Sequence, residues 1–103
     1  MIIMTVTFKS NLSHEEILAA MEERLPDYRA TPGLVEKYYG HDQKTGAYTG
    51  VLVWESQEAL LAFKETELAK TVADAYQAAE PLRIEVYDVF RTLRPAAVAG
   101  AAS

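Results

Sequence analysis

The sequence predicts an α+β fold of the ferredoxin-like kind, with element order βαββαβ, one four-stranded antiparallel sheet and helices on one face. Three observations predict it. Strand-like apolar stretches lie near both ends of the chain, Ile2–Phe8 and Arg83–Leu93. A hairpin fills the middle, Gly33–Glu55, around the turn Asp42-Gln43-Lys44-Thr45-Gly46. Two stretches with helical spacing of apolar residues fill the gaps between them.

Ile2–Phe8 is apolar with two threonines and reads as the first strand. Ser13 and Glu16 then form S-x-x-E, a capping box in which each side chain satisfies an N–H at a helix start. Leu12 and Ile17 sit where a hydrophobic staple would. Ile17, Met21, Leu25 and Tyr28 make one apolar stripe. Pro26 lies inside that stripe and predicts a kink or break.

In the hairpin, Asp42 can accept from loop N–H groups, and Gly46 can take a positive φ without a Cβ penalty. With Gln43–Gly46 as the loop, His41 opposes Tyr48, Tyr39 opposes Gly50, Lys37 opposes Leu52 and Val35 opposes Trp54. Side chains alternate along a strand, so these eight share one face. The other face carries Leu34, Glu36, Tyr38, Gly40, Ala47, Thr49, Val51 and Val53.

Ser56 is the expected N-cap of a second helix, with Ala59, Leu60 and Phe63 on its buried side. The pattern lapses at Glu65–Glu67 and resumes with Leu68, Val72 and Tyr76, which predicts a helix in two pieces ended by Pro81. Arg83–Leu93 alternates and reads as the last strand. The domain is expected to span residues 1–94, with Pro95–Ser103 a flexible tail of small residues.

Composition narrows the function. The 103 residues suffice for one domain, and half of them are hydrophobic. There is no cysteine, so disulfides, thiolate metal sites and thiol nucleophiles are excluded. A formal charge of −5 argues against nucleic acid and against an anionic membrane surface. No apolar run approaches the ~20 residues of a membrane helix. The start MIIMTVTF has no basic region or cleavage site, so a cytoplasmic location is expected. Neither sheet face reads as polar, which predicts a homodimer with sheets packed face to face.

The run Pro32–Phe63, PGLVEKYYGHDQKTGAYTGVLVWESQEALLAF, resembles the dimeric α/β-barrel superfamily. The resemblance rests on the Pro-Gly-hydrophobic lead into a strand, the strand ending in Trp-Glu-Ser, and the Glu-Ala on the following helix. Within that superfamily the chain is most similar to the small YdhR-like monooxygenases, relatives of the antibiotic-biosynthesis monooxygenases. In that branch the resemblance implies oxygenation of a polycyclic phenol to a quinone without a cofactor. It speaks to fold more than to chemistry, because the motifs are structural.

Such chemistry needs a proton acceptor, a donor to the developing oxyanion and a dry aromatic slot. His41 is the candidate base, since imidazole titrates near ~6.5. Lys37, Tyr39 and Tyr48 are candidate donors to the anion, and Trp54 a surface for a flat substrate. Asp88 is the one charge amid apolar positions of the last strand. It is read either as paired with an arginine such as Arg24 or Arg91, or as a functional carboxylate. No metal or nicotinamide motif is present, so no cofactor is expected.

Each residue also has a plain structural reading. His41 beside a turn can be merely solvated, Trp54 an ordinary core residue, Lys37 a snorkelling strand lysine, and Tyr39 a cover for Gly50. His14, in the first helical turn, reads as exposed. Three functions are therefore weighed: a monooxygenase of a small aromatic, a non-enzymatic binder of a small hydrophobic molecule, and an isomerase or decyclising enzyme. The pocket is expected between the Lys37–Trp54 face and the helical layer.

Overall fold

The structure, a computed structural model, describes residues 1–94. The strands are β1 (Ile2–Phe8), β2 (Leu34–His41), β3 (Tyr48–Trp54) and β4 (Arg83–Asp88), and the helices are α1 (His14–Arg29), α2 (Gln57–Lys64), α3 (Glu67–Lys70) and α4 (Val72–Ala75). The strands form one antiparallel sheet in the order β2-β3-β1-β4. This is the ferredoxin-like arrangement. The expected tail, Pro95–Ser103, lies outside the described residues.

The capping box forms at the start of α1. Ser13 Oγ accepts from the Glu16 N–H at 3.1 Å, and Glu16 Oε1 accepts from the Ser13 N–H at 2.9 Å. These bonds hold the Glu16 carboxyl below its ordinary pKa. Pro26 does not break the helix as expected: α1 continues to Arg29. Only one turn follows the proline, and that turn buries Tyr28 against the core. Ser56 caps α2, accepting from the Ala59 N–H. The remaining helical stretch is two short pieces, α3 and α4, rather than one; Thr66 caps the first through the Ala69 N–H.

The hairpin turn closes as its sequence directs. Asp42 Oδ1 accepts from the N–H groups of Lys44 at 2.8 Å and Thr45 at 3.2 Å, and Gly46 has φ +80°. His41 opposes Tyr48, Tyr39 opposes Gly50 and Lys37 opposes Leu52. The expected Val35–Trp54 pair does not form. A bulge between Leu34 and Glu36 puts Leu34 opposite Trp54. Either aliphatic residue could fill the place, and Leu34 takes it against the core.

The core lies between the sheet and the helices. Ile2, Met4, Leu52 and Trp54 from the sheet meet Tyr28, Leu60 and Phe63 from the helices. Among the described residues the opposite face carries no layer, and Tyr38 and Tyr87 stand on it 57 % and 52 % exposed. The last strand stops at Asp88, short of the expected Leu93, because its partner runs out. Asp88 pairs with Ile2, and the Val89 N–H makes one more bond to the Met1 carbonyl. Phe90 then projects 97 % exposed. Among the described residues no helix is long and apolar enough to cross a membrane.

Candidate functional site

A cavity of about 310 Å³ opens between the helix-facing side of the hairpin and α1. The topology builds it. β1 and β3 are antiparallel, so Phe8 at the end of β1 pairs with Tyr48 at the start of β3. The helix that follows β1 therefore begins at the hairpin end of the sheet. His14, Ile17, Leu18 and Met21 from α1 form the roof, and Lys37, Tyr39, His41, Tyr48 and Gly50 form the floor. Val72 and Tyr76 close the side.

Tyr76 is held in place by ties to the loop after β1. Ser10 Oγ donates to the Tyr76 carbonyl at 2.5 Å, and the Asn11 N–H donates to the Gln77 carbonyl at 3.0 Å. The Tyr76 ring stacks on Phe8 with centroids 5.3 Å apart, and Phe8 in turn meets Tyr48 at 6.1 Å. The Tyr76 hydroxyl is buried and has no hydrogen-bond partner among the described residues.

At the hairpin end three rings gather. His41 stacks on Tyr48 with centroids 4.3 Å apart, and His14 lies 5.4 Å from His41. His14 Nδ1 and the Tyr48 hydroxyl are hydrogen-bonded at 2.9 Å. His14 is exposed, as its place in the first helical turn predicts, but its part in the cavity rim was not read from the sequence. The signal that finds it is topological: an antiparallel β1–β3 pair brings the first turn of α1 to the end of the sheet that carries the β2–β3 turn.

Further along β2, Lys37 lies across β3. A Cβ on Gly50 would stand 3.2 Å from Lys37 Cε, so the absence of a side chain there gives the lysine its berth. The groups nearest Gly50 are therefore this lysine stem and Leu52 Cδ1, while Tyr39 is its pairing partner across the strands. Lys37 Nζ sits 3.4 Å from the Tyr28 ring centroid and 4.5 Å from that of Tyr39. Burial, with the Arg24 charge nearby, lowers Lys37 from an ordinary 10.5 to about 7. Burial pushes Tyr39 up to about 12 and also raises Tyr28 and Tyr76. The phenols thus stay protonated and can donate.

Two candidates lie elsewhere. Trp54 does not line the cavity; it is 0 % exposed in the core, its ring 5.0 Å from Phe63. Five residues of β3 lie between it and Tyr48, and the six steps span about 20 Å at the usual strand rise. Asp88 sits at that same far end, opposite Ile2, and is exposed. The expected arginine partner is absent among the described residues. Arg24 instead donates to the Leu68 carbonyl at 2.6 Å and to Thr71 Oγ1 at 3.2 Å. Its place on α1 fastens that helix to the α3–α4 segment, well away from β4.

A wider hollow of about 560 Å³ lies on the bare face, walled largely by threonines and charged residues such as Asp42, Glu80, Arg83 and Glu85. It lacks the convergent rings of the first cavity. Among the described residues no cluster of three or more metal-ligating side chains occurs.

The same fold occurs in solved structures along nearly the whole chain. Cofactor-independent oxygenase SnoaB from Streptomyces nogalater superposes with a TM-score of 0.73 at 15 % identity, over 89 % of this chain and 95 % of that one. The chain shares its fold with solved structures named as antibiotic biosynthesis monooxygenases. An antibiotic biosynthesis monooxygenase gives a TM-score of 0.70 at 18 % identity, over 88 % of this chain and all 100 % of the other. Rv0793 from Mycobacterium tuberculosis gives 0.73 at 11 % identity, over 90 % and 98 %. Neither a family model nor a curated protein matches the sequence. At these identities the likeness speaks for the fold, and the chemistry must be argued from the cavity.

Proposed function

We propose that this protein is a cofactor-independent monooxygenase, of the YdhR-like kind, that converts a small planar phenol to a quinone. The observation that carries the reading is the cavity itself. Aliphatic and aromatic walls carry an amine, two imidazoles and three phenol hydroxyls; Tyr76 is buried, whereas His14, Tyr39 and His41 stand at the open side, in contact with solvent. A volume of about 310 Å³ suits a fused-ring aromatic of modest size.

The reaction balances without a bound redox group. The phenol O–H proton passes to a base, and two groups on the wall can take it: His41 at the hairpin end and Lys37 further in. The phenolate gives one electron to O₂, and the two radicals join through a new carbon–oxygen bond. The O–O bond of the resulting peroxide then breaks, and the departing oxygen takes the ring proton and the proton held by the base and leaves as water, so that the quinone remains and the base is restored. One oxygen atom of O₂ is thus kept and the other leaves as water. Tyr39 and Tyr48 donate to the oxyanion as charge builds.

The working unit in this reading is a cytoplasmic homodimer. The bare sheet face, with Tyr38 and Tyr87, supplies the contact.

The test is oxygen uptake with a panel of hydroxynaphthalenes and anthrones, in air and under nitrogen. Uptake stoichiometric with quinone supports the reading. His41→Ala should then lose turnover if the imidazole is the base and retain it if Lys37 is. Conversion that proceeds equally under nitrogen would replace the oxygenase by a proton-shuttling isomerase. Binding without conversion would leave a ligand-binding protein.

A further inference from the structure

Among the described residues, Lys37 is the only lysine or arginine that lines the cavity, and no Asp or Glu lines it. Its ammonium has aromatic rings where a lysine ordinarily has a carboxylate. Nζ lies 3.4 Å from the Tyr28 centroid and 4.5 Å from that of Tyr39. The only ion pair among the described residues joins Arg83 to Glu85, on β4. Gly50 leaves room for the position: a Cβ there would stand 3.2 Å from Lys37 Cε and 3.9 Å from Nζ. The lysine stem therefore lies along the cavity floor instead of reaching into water.

A second cation shares the Tyr28 ring. Arg24 Cζ is 5.9 Å from the Tyr28 centroid and 5.8 Å from that of Tyr76. The buried Tyr76 hydroxyl, in the cavity wall, has no partner among the described residues. An apolar chamber thus holds positive potential and an unused donor, with no anion to meet them. Ring faces solvate an ammonium only weakly; an aryloxide or carboxylate oxygen does so far better.

We propose that Lys37 is the receptor for the acidic group of a planar aromatic ligand, so that the cavity binds a hydroxyaromatic as its anion and the hydroxyl proton ends on Lys37 Nζ. This rests on the reading of the cavity as a phenol-oxidising site and names the proton acceptor within it. In the step the ligand O–H bond breaks and an N–H bond forms on the neutral amine. An ammonium–aryloxide pair results, and no electron moves.

The charged and titratable groups around Lys37 agree with that direction. α1 contributes Arg24 and Tyr28, with Arg29 acting on Tyr39. β2 contributes Tyr39, and Glu36, whose Oε1 accepts from the Lys37 backbone N–H at 2.9 Å. Tyr76 faces in from the end of α4, while β3 offers the Gly50 backbone. His14, His41 and Tyr48 lie at the hairpin end. With Lys37 at about 7, near-neutral solutions hold both its amine and its ammonium form. An arriving anion pulls the amine back to ammonium, so binding above neutrality takes up a proton.

The experiment uses the full chain and two probes of matched shape: 4-nitro-1-naphthol, whose anion is coloured, and its methyl ether, which cannot ionise. Calorimetry at about pH 8 in buffers of differing protonation enthalpy reads proton uptake, and absorbance reads the bound form. The expected result is binding of the naphthol as its anion, uptake approaching one proton per site, and about ten- to a hundredfold preference over the ether. Lys37→Met should abolish both the uptake and the preference. Lys37→Arg, which keeps the charge, should keep the preference and lose the uptake; both variants are checked for folding by thermal melting. Equal binding of the two probes, absence of proton uptake, unchanged behaviour of Lys37→Met, or no binding of the naphthol at millimolar concentration would each overturn the proposal. Oxygen uptake is scored separately. Anion binding without oxygen uptake leaves Lys37 as the receptor and removes the oxygenase; oxygen uptake without anion binding does the reverse.

Discussion

Replacing Lys37 by methionine should stabilise the protein, and the gain should fade as the pH rises. Lys37 titrates at about 7 in the fold instead of at 10.5. A lysine whose folded pKa is depressed destabilises the fold below that pKa, where it must be charged in both states. Between the folded and unfolded pKa values the unfolded chain binds more protons, so stability climbs with pH. At full strength the gap amounts to roughly 4–5 kcal/mol at acid pH. Water reaching the cavity screens part of it, so about half is the fairer figure. The lost contact with the Tyr28 and Tyr39 rings offsets another ~0.5–2 kcal/mol. The net expectation is a gain of about 1–2 kcal/mol for Lys37→Met near neutral pH, falling by a similar amount by about pH 9.5. Tyr28, Tyr39 and Tyr76 have raised pKa values and lose stabilising influence only above about pH 10, equally in both proteins. Urea unfolding of the two proteins at three pH values measures the gap. A stability difference that is flat with pH, or a variant less stable than the parent at pH 7, would refute the reasoning that the cavity desolvates this amine.

Other residues give sharp expectations. Trp54→Ala removes a side chain with no exposed surface packed on Phe63, and should cost ~3–5 kcal/mol by thermal or urea unfolding. Where that variant still folds, its affinity for cavity ligands should hold; a selective loss of binding would put Trp54 back beside the ligand. Gly50→Ala should leave the fold intact, since replacing a strand glycine gains ~0.5–1 kcal/mol. Its methyl presses on Lys37 Cε and shifts the stem by a few tenths of an ångström, so carbon NMR of the lysines should show Lys37 titrating slightly higher than in the parent; a lower titration would contradict the room assigned to Gly50. Light scattering at micromolar concentration should give a dimer, and Tyr38→Glu should shift it to monomer; a monomeric parent protein would remove the role given to the bare face.

Much of the fold was legible because strong local rules agreed with tertiary packing. Asp42 and Gly46 admit one tight turn, and once the turn is placed the pairs His41–Tyr48, Tyr39–Gly50 and Lys37–Leu52 follow without freedom. The bulge at Leu34–Val35 was not legible, since two adjacent aliphatic residues carry no contrast to say which one faces the core. The end of β4 was equally hidden. Alternation continues through Phe90, but strand length is set by the neighbour, and β1 begins at Ile2. The helix runs through Pro26 because the burial of Tyr28, two residues on, outweighs the local cost of a helix proline.

The site divided in the same way. Lys37, Tyr39, His41 and Tyr48 come together because they lie on one face near one end of the hairpin. Trp54 shares that face but sits at its other end, where the helical layer closes over it. Face alone was readable, whereas position along the strand relative to the covering helices was not. His14 and Tyr76 reach the cavity from elements far away in sequence, and only the strand order brings them there.

Isotope tracing during turnover tests the central claim most directly. The protein would be supplied with an anthrone or hydroxynaphthalene under ¹⁸O₂ in ordinary water, with the quinone product analysed by mass spectrometry. The expected product carries one heavy oxygen atom at the new carbonyl, forms at one molecule per O₂ consumed, and needs no added metal or nicotinamide. A product labelled only from water, or one formed just as fast in the absence of O₂, would contradict the account.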